Sequence, residues 1–223
     1  MLGRWQAQPP RGGGTLRAWR AQRRGSRREA ASVIEEDAVR DLAALGDVDV
    51  QLKSVDLVLS RHFGASGPGP FVTTRLLSQL GRLRRTAAAV ALLRWLEAFG
   101  PGANIFHYTA TISACGKVKD WSTALQLLGL MVGNSVDLST IPCNAAISAC
   151  AKAGEWMRAI DLLSMMSSQG VDLNTTTYSA VISACEKAGE WRRALALLNS
   201  MSQQSVDVDT IVCSAAISAC EKG

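Results

Sequence analysis

Two histidines, six cysteines and a regularly spaced row of cations are the side chains of this sequence that could do chemistry. A serine or cysteine nucleophile needs a base at hand, and neither His62, in a stretch that reads as loop, nor His107 stands in such a motif. The glycines from Gly12 to Gly14 lack the strand and helix context of a phosphate loop. Cys115, Cys150, Cys185 and Cys220 recur every 35 residues, and Cys143 and Cys213 each precede one of them by seven. On a helix that is two turns, about 10 Å, too far for a shared disulfide or a tetrahedral metal site. The cysteines are therefore expected to be small buried packing residues, with no metal and no cofactor. The cations Arg82, Lys117, Lys152, Lys187 and Lys222 also keep one register. Stacked units would align them into a stripe that a phosphate backbone could follow, although a cation at a helix C-terminus also opposes the helix dipole.

The elements that must position these residues are read from the same period. Thr111 to Cys115, Ala146 to Cys150, Val181 to Cys185 and Ala216 to Cys220 share the ending Ile-Ser-Ala-Cys, and Trp121, Trp156 and Trp191 follow in step. Ala124, Ala159 and Ala194 keep the same register, as do three Leu-Leu pairs, three methionines and three Val-Asp pairs. A weaker copy precedes them, with Ala89, Leu92, Leu93 and Leu96 in the second-helix positions. Within a unit, Tyr178, Val181, Ile182 and Cys185 form the stripe of a first helix that stops at Gly189, and Trp191, Ala194, Leu197, Leu198 and Met201 form that of a second. The units run 70–104, 105–139, 140–174 and 175–209, then 210–223 as the first helix of a fifth. A solenoid ending on half a unit leaves an apolar face in need of a cap, so the expectation is a fragment of a longer array.

Residues 1–28 hold eight arginines and no acid, which makes them an expected disordered or organelle-transit segment and leaves the rest of the chain slightly acidic. Residues 29–69 are expected to form a helical N-terminal cap or degenerate repeat. In it Ser32 to Glu35 reads as a capping box opening a helix along Ile34, Ala38, Leu42 and Leu45, and Val48, Leu52, Val55 and Leu59 mark another. The longest apolar run, Ala87 to Leu93, is far short of the roughly 20 residues that span a bilayer, so a membrane is not an expected partner, and no small-molecule substrate is expected either.

The unit pattern, Thr-Tyr-x-x-x-Ile followed by Lys-Ala-Gly, Ala-Leu, Leu-Leu and Met, closely resembles the pentatricopeptide repeat over residues 70–223. Ala103, Leu138, Leu173 and Val208 stand where most family members have proline. The resemblance implies an all-α, right-handed superhelical solenoid of 35-residue helix-turn-helix repeats that binds single-stranded RNA without catalysis. It also implies a chloroplast or mitochondrial location and a role in RNA processing, stability, editing or translation, with RNA-processing proteins as further partners.

In that family a residue early in the first helix and the last residue of the unit read one base together. The matching early positions are Thr74, Thr109, Asn144, Ser179 and Ser214, and the last positions are Asn104, Ser139, Asn174 and Asp209. By resemblance Thr74 with Asn104 implies adenine, Asn144 with Asn174 a pyrimidine and Ser179 with Asp209 guanine. Phe71, Phe106, Ile141, Thr176 and Ile211 match the positions that wedge neighbouring bases apart. The competing reading is a protein-binding scaffold, because residues 105–223 carry slightly more acidic than basic side chains. Four bases at about 1 to 3 kcal/mol each barely exceed the roughly 4 to 15 kcal/mol that association costs, so weak binding is expected from this many units.

Overall fold

The computed structural model describes residues 31–45, 51–64 and 67–222, and all regular structure among them is helical. The arginine-rich segment 1–28 and Val48 lie outside the described residues. Helix α1 covers 31–43 and α2 covers Leu52–Phe63. Then come α3 (Pro70–Arg82), α4 (Thr86–Ala98), α5 (Ile105–Val118), α6 (Trp121–Gly133), α7 (Thr140–Ala153), α8 (Trp156–Ser168), α9 (Thr175–Ala188), α10 (Trp191–Gln203) and α11 (Thr210–Lys222). The odd-numbered helices from α3 onward begin 35 residues apart and are the first helices of successive units.

None of these helices is long enough to hold its shape alone in water, so packing must supply the stability. The first helices touch one another directly in a row from α3 to α11, and each second helix fits between two of them. The alanine of Ile-Ser-Ala-Cys makes the close approach possible. A Cβ built on Gly81 would lie 2.8 Å from the Ala114 Cβ, and one on Gly116 would lie 3.4 Å from the Ala149 Cβ. Ala114, Ala149, Ala184 and Ala219 are all fully buried at these seams. No comparable contact joins the second helices to one another among the described residues, so the first helices form the tighter wall of the array.

Behind that wall Ile112, Ile147 and Ile182 interlock with Ala124, Leu127, Met131 and their counterparts in one continuous core. Helices α7 and α9 end on left-handed glycines, Gly154 (φ 87°) and Gly189 (φ 72°), which meet no steric penalty there. Lys119 takes the same conformation after α5 with a φ of 64°. The loops are tied as well: Thr140 and Thr175 each donate a 2.9 Å hydrogen bond to a carbonyl in the next loop, of Asp172 and Asp207 respectively. Ala103, Leu138 and Leu173, in the positions where proline is usual, lean on the core.

Three expectations are corrected. Ser32 is not a cap, because the helix is already under way at residue 31 and its hydroxyl bonds Glu36 one turn on. The buried stripe of α1 is Glu35, Ala38, Val39 and Leu42, whereas Ile34 is exposed. His62 belongs to α2 and bonds Asp41 of α1 at 2.9 Å. The third concerns the cysteines. Cys115, Cys143, Cys150 and Cys185 are buried, but Cys213 and Cys220 are exposed on α11, since no helix follows α11 to cover its other side among the described residues. Ile217 is likewise 63% exposed where Ile112, Ile147 and Ile182 are sealed.

The N-terminal helices do not pack as a regular unit. Helix α2 rests on α4, where the Trp95 indole donates to Asp56 at 3.0 Å, and Arg75 of α3 pairs with the buried Glu35 of α1 at 3.1 Å.

Candidate nucleic-acid interface

The second residue of each first helix points away from the core. Phe71 is 87% exposed, Phe106 66%, Ile141 65% and Ile211 66%, and Thr176 is exposed in the same register. Large apolar side chains left in water at a strict period call for a partner more than scattered ones do. Between Phe71 and Phe106 lies a groove of about 610 Å3, lined also by Thr74, Arg75, Ser78, Gln79, Arg82 and Asn104. The structure therefore brings together one wedge pair, one early residue, one last residue and one cation of the row. The remaining positions repeat along the array at the same helical addresses. Thr109, Ser139, Asn144 and Ser179 are partly exposed, and Asn174, Asp209 and Ser214 are exposed.

The last residues have a second task. Asn104, Ser139, Asn174 and Asp209 each stand directly before a first helix, where four backbone N–H groups lack intrahelical partners. Asn104 Oδ1 accepts from the N–H groups of Phe106 and His107 at 3.0 and 3.1 Å. Asn174 Oδ1 accepts from the Thr177 N–H and its hydroxyl, both at 3.0 Å. Asp209 Oδ1 accepts from the Val212 N–H at 2.8 Å. These caps fix polarity: with both lone pairs of the carbonyl engaged, the two asparagines have only their NH2 groups left to offer, whereas Asp209 retains a carboxylate oxygen. Ser139 does not cap, because Pro142 stands where the third residue would close the bond. Its hydroxyl and the Asn144 Oδ1 are buried without a protein partner. Thr74 and Thr109 spend their hydroxyl protons on the carbonyls of Pro70 and Ile105, at 2.9 and 2.7 Å.

Arg82, Lys117, Lys152 and Lys187 are exposed and form no ion pair among the described residues. Lys222 differs. Its ammonium lies 2.8 Å from the Glu186 carboxylate of the preceding first helix, and this hydrogen bond is the main reason the Glu186 pKa is lowered. The equivalents of Glu186 in earlier units are Gly81, Gly116 and Ala151, which carry no charge. Among the described residues the cation row thus runs without an ion pair from Arg82 to Lys187 and meets an acid at Lys222.

Sequence reasoning missed a serine row. Ser78, Ser113, Ser148, Ser183 and Ser218 precede the cations by one helical turn, and Ser78 lines the groove beside Arg82. The signal was present in Ile-Ser-Ala-Cys, whose serine faces outward while its neighbours pack. The tryptophans lie elsewhere. Trp121 and Trp156 border a separate cleft of about 500 Å3 with Arg158 and Asp161, and Arg158 sits over the Trp121 ring at 6.0 Å. The buried thiols are chemically quiet, since burial raises Cys115 to about 12 and Cys143, Cys150 and Cys185 to about 11. Among the described residues no cluster of His, Cys, Asp or Glu could hold a metal, and no helix is long and apolar enough to cross a membrane.

Paired short helices stacked at a fixed period, with the same exposed address at the second residue of each first helix, define an α-helical repeat array. Residues 101–210 match the family model described as the pentacotripeptide-repeat region of PRORP, and the chain carries a pentatricopeptide-type repeat region. Among solved structures, the chain is similar to the PPR domain of Arabidopsis thaliana protein-only RNase P 1 in complex with tRNA, at 13% identity and a TM-score of 0.58. That match covers 68% of this chain and 80% of the other. It is also similar to the pentatricopeptide repeat protein PPR10 from maize, at 19% identity and a TM-score of 0.51. There the match takes in 97% of this chain and only 35% of the maize protein, so this chain spans about a third of that length. No curated protein matches the sequence.

Proposed function

We propose that this chain binds single-stranded RNA along the row of first helices, one nucleotide per unit, without catalysing a reaction on it. The observation that carries this reading is the groove in which Phe71 and Phe106 flank Thr74 and Asn104 with Arg82 alongside. Exposed rings offer faces on which a base can stack, the small polar side chains offer edge contacts, and the guanidinium suits a phosphate. The residues 35, 70, 105 and 140 positions later extend the same pattern along the wall as far as the chain allows. In the units that follow, Thr109 with Ser139, Asn144 with Asn174 and Ser179 with Asp209 take the reading role, Ser214 opens the next, and Lys117, Lys152 and Lys187 follow the phosphates. The fold shared with an Arabidopsis PPR domain described in complex with tRNA supports RNA as the ligand class.

The protein's place, in this reading, is RNA processing, stability, editing or translation in a chloroplast or mitochondrion, with residues 1–28 as the address and catalysis left to partners. The slight acid excess of residues 105–223 favours the rival reading of a protein-binding scaffold. Binding to a random single-stranded RNA pool, challenged with double-stranded RNA and with salt, separates the two. RNA binding that resists the duplex and weakens with salt supports the proposal, and its absence supports the scaffold.

A further inference from the structure

The unit boundary at Phe71 and Phe106 differs from the later ones in what lies beneath it. His107, the third residue of α5, is 1% exposed. Its Nδ1 accepts the Asn104 backbone N–H at 3.3 Å, and its Nε2 lies 3.1 Å from the Pro70 carbonyl oxygen at the start of α3. A carbonyl only accepts and an N–H only donates, so the ring is neutral, with its proton on Nε2. Asn104 in turn accepts from the His107 N–H, which closes a reciprocal capping box. Asn174 has such a box too, but there the partner is Thr177, whose hydroxyl does not titrate. Val72, Pro142 and Val212 occupy this position in the other units and cannot close one.

We propose that His107 is a positioning residue that presets the Asn104 amide with its NH2 facing the groove, and that it does so only while Nδ1 is unprotonated. A proton on Nδ1 would set two donors against each other at the Asn104 N–H, and the box would open. The Asn104 backbone N–H would then lose its acceptor, and the amide that the Phe106 and His107 N–H groups hold beside Thr74 would shift with that backbone, while the Pro70 carbonyl would remain as the partner of the ring.

The surroundings add nothing that would stabilise the imidazolium. The charged side chains on elements packed against α5 are Arg75 and Arg82 on α3, Arg94 and Glu97 on α4 and Lys152 on α7, while α6 has none and α5 itself carries Lys117. Glu97 is committed to Tyr108 and Asn134, and Arg75 to Glu35. The other titratable groups, Tyr108 and the Cys115, Cys143 and Cys150 thiols, are held neutral by burial. The His107 pKa is lowered by burial first, and the Pro70 carbonyl opposes this.

The role in base recognition rests on the RNA-binding reading, but the positioning itself can be tested without RNA. In the 15N-labelled full chain, the Asn104 side-chain NH2 signals should move with the His107 ring as pH falls from about 8 to 5, while those of Asn174 stay in place. His107→Gln supplies an acceptor that does not titrate, so it should keep the Asn104 signals in their neutral-pH positions at both ends of the range. Asn104 signals indifferent to His107 titration in the wild-type chain would overturn the proposal. With single-stranded RNA oligonucleotides as the probe, acidification should weaken wild-type binding roughly 2- to 10-fold more than it weakens binding by His107→Gln, the worth of one hydrogen bond. Equal loss in both proteins refutes a role in recognition. No RNA binding by either refutes the RNA reading, and the NMR titration still decides the positioning role.

Discussion

The Lys222 ammonium lies 2.8 Å from the carboxylate of Glu186, which sits one unit back on the neighbouring first helix. The same address holds Gly81 behind Lys117, Gly116 behind Lys152 and Ala151 behind Lys187. One unit therefore neutralises the cation that the other units leave open to a polyanion.

Replacing Glu186 with Gln should free Lys222 and add a rung to the row. The slope of log affinity for single-stranded RNA against log salt should steepen by about 0.7, the increment for one more phosphate contact on a single strand. Salt titrations of the two proteins measure it, and equal slopes would mean that Lys222 does not face the RNA.

Acid should loosen the fold in a window set by His107. The folded chain holds this ring below its ordinary value of 6.5. Between the two values the unfolded state binds the proton and the folded state does not, so stability falls as pH drops through that window and gains nothing from this group above it. Urea melts of wild type and His107→Gln from pH 7.5 to 5 should differ by this slope. The lowered carboxylates Asp41 and Glu186 act in the opposite sense of charge and lose their contribution only at more acid pH.

Two glycines should respond oppositely to alanine. A Cβ at Gly81 meets the Ala114 Cβ at 2.8 Å and its Cα at 3.2 Å, so Gly81→Ala must part the first helices and should cost about 1 to 3 kcal/mol. Gly129, inside α6, meets nothing within 4 Å, and Gly129→Ala should gain about 0.5 to 1 kcal/mol from helix propensity. Thermal melts of both variants report the sign directly.

Native thiol labelling should divide the cysteines. Cys213 and Cys220 are exposed and should react readily with a maleimide, whereas Cys115, Cys143, Cys150 and Cys185 are buried and should react only on unfolding. Mass spectrometry after brief labelling would contradict this packing if the buried four were modified first.

The repeat was legible because stacking forces each unit to solve the same packing problem with the same side chains. Ile112, Ile147 and Ile182 are spaced by geometry before they are spaced by sequence, and Gly154 and Gly189 mark the turns that close each first helix. The start of α1 was misread because Ser32 followed by Glu35 mimics a cap, whereas the buried face of that helix is set by what it leans on. The exposure of Cys213 and Cys220 depends on which helices pack against α11 among the described residues, which no local pattern records. The dual task of Asn104 was hidden for a related reason. A small polar residue before a helix looks the same whether it caps, reads a base or does both. Only the positions of Phe106, His107 and Thr74 around it show that one side chain can cap inward and still face the groove.

RNA bound by this chain should run along the wall of first helices, where the cation row lies. Lys117→Glu, Lys152→Glu and Lys187→Glu combined lie on exposed helix ends away from the core, so the fold should persist by circular dichroism. Fluorescence anisotropy with a single-stranded RNA should then show affinity lost and the salt slope reduced by about 2, the share of three phosphates. A folded triple variant that binds the same RNA with unchanged affinity and slope would contradict the central claim.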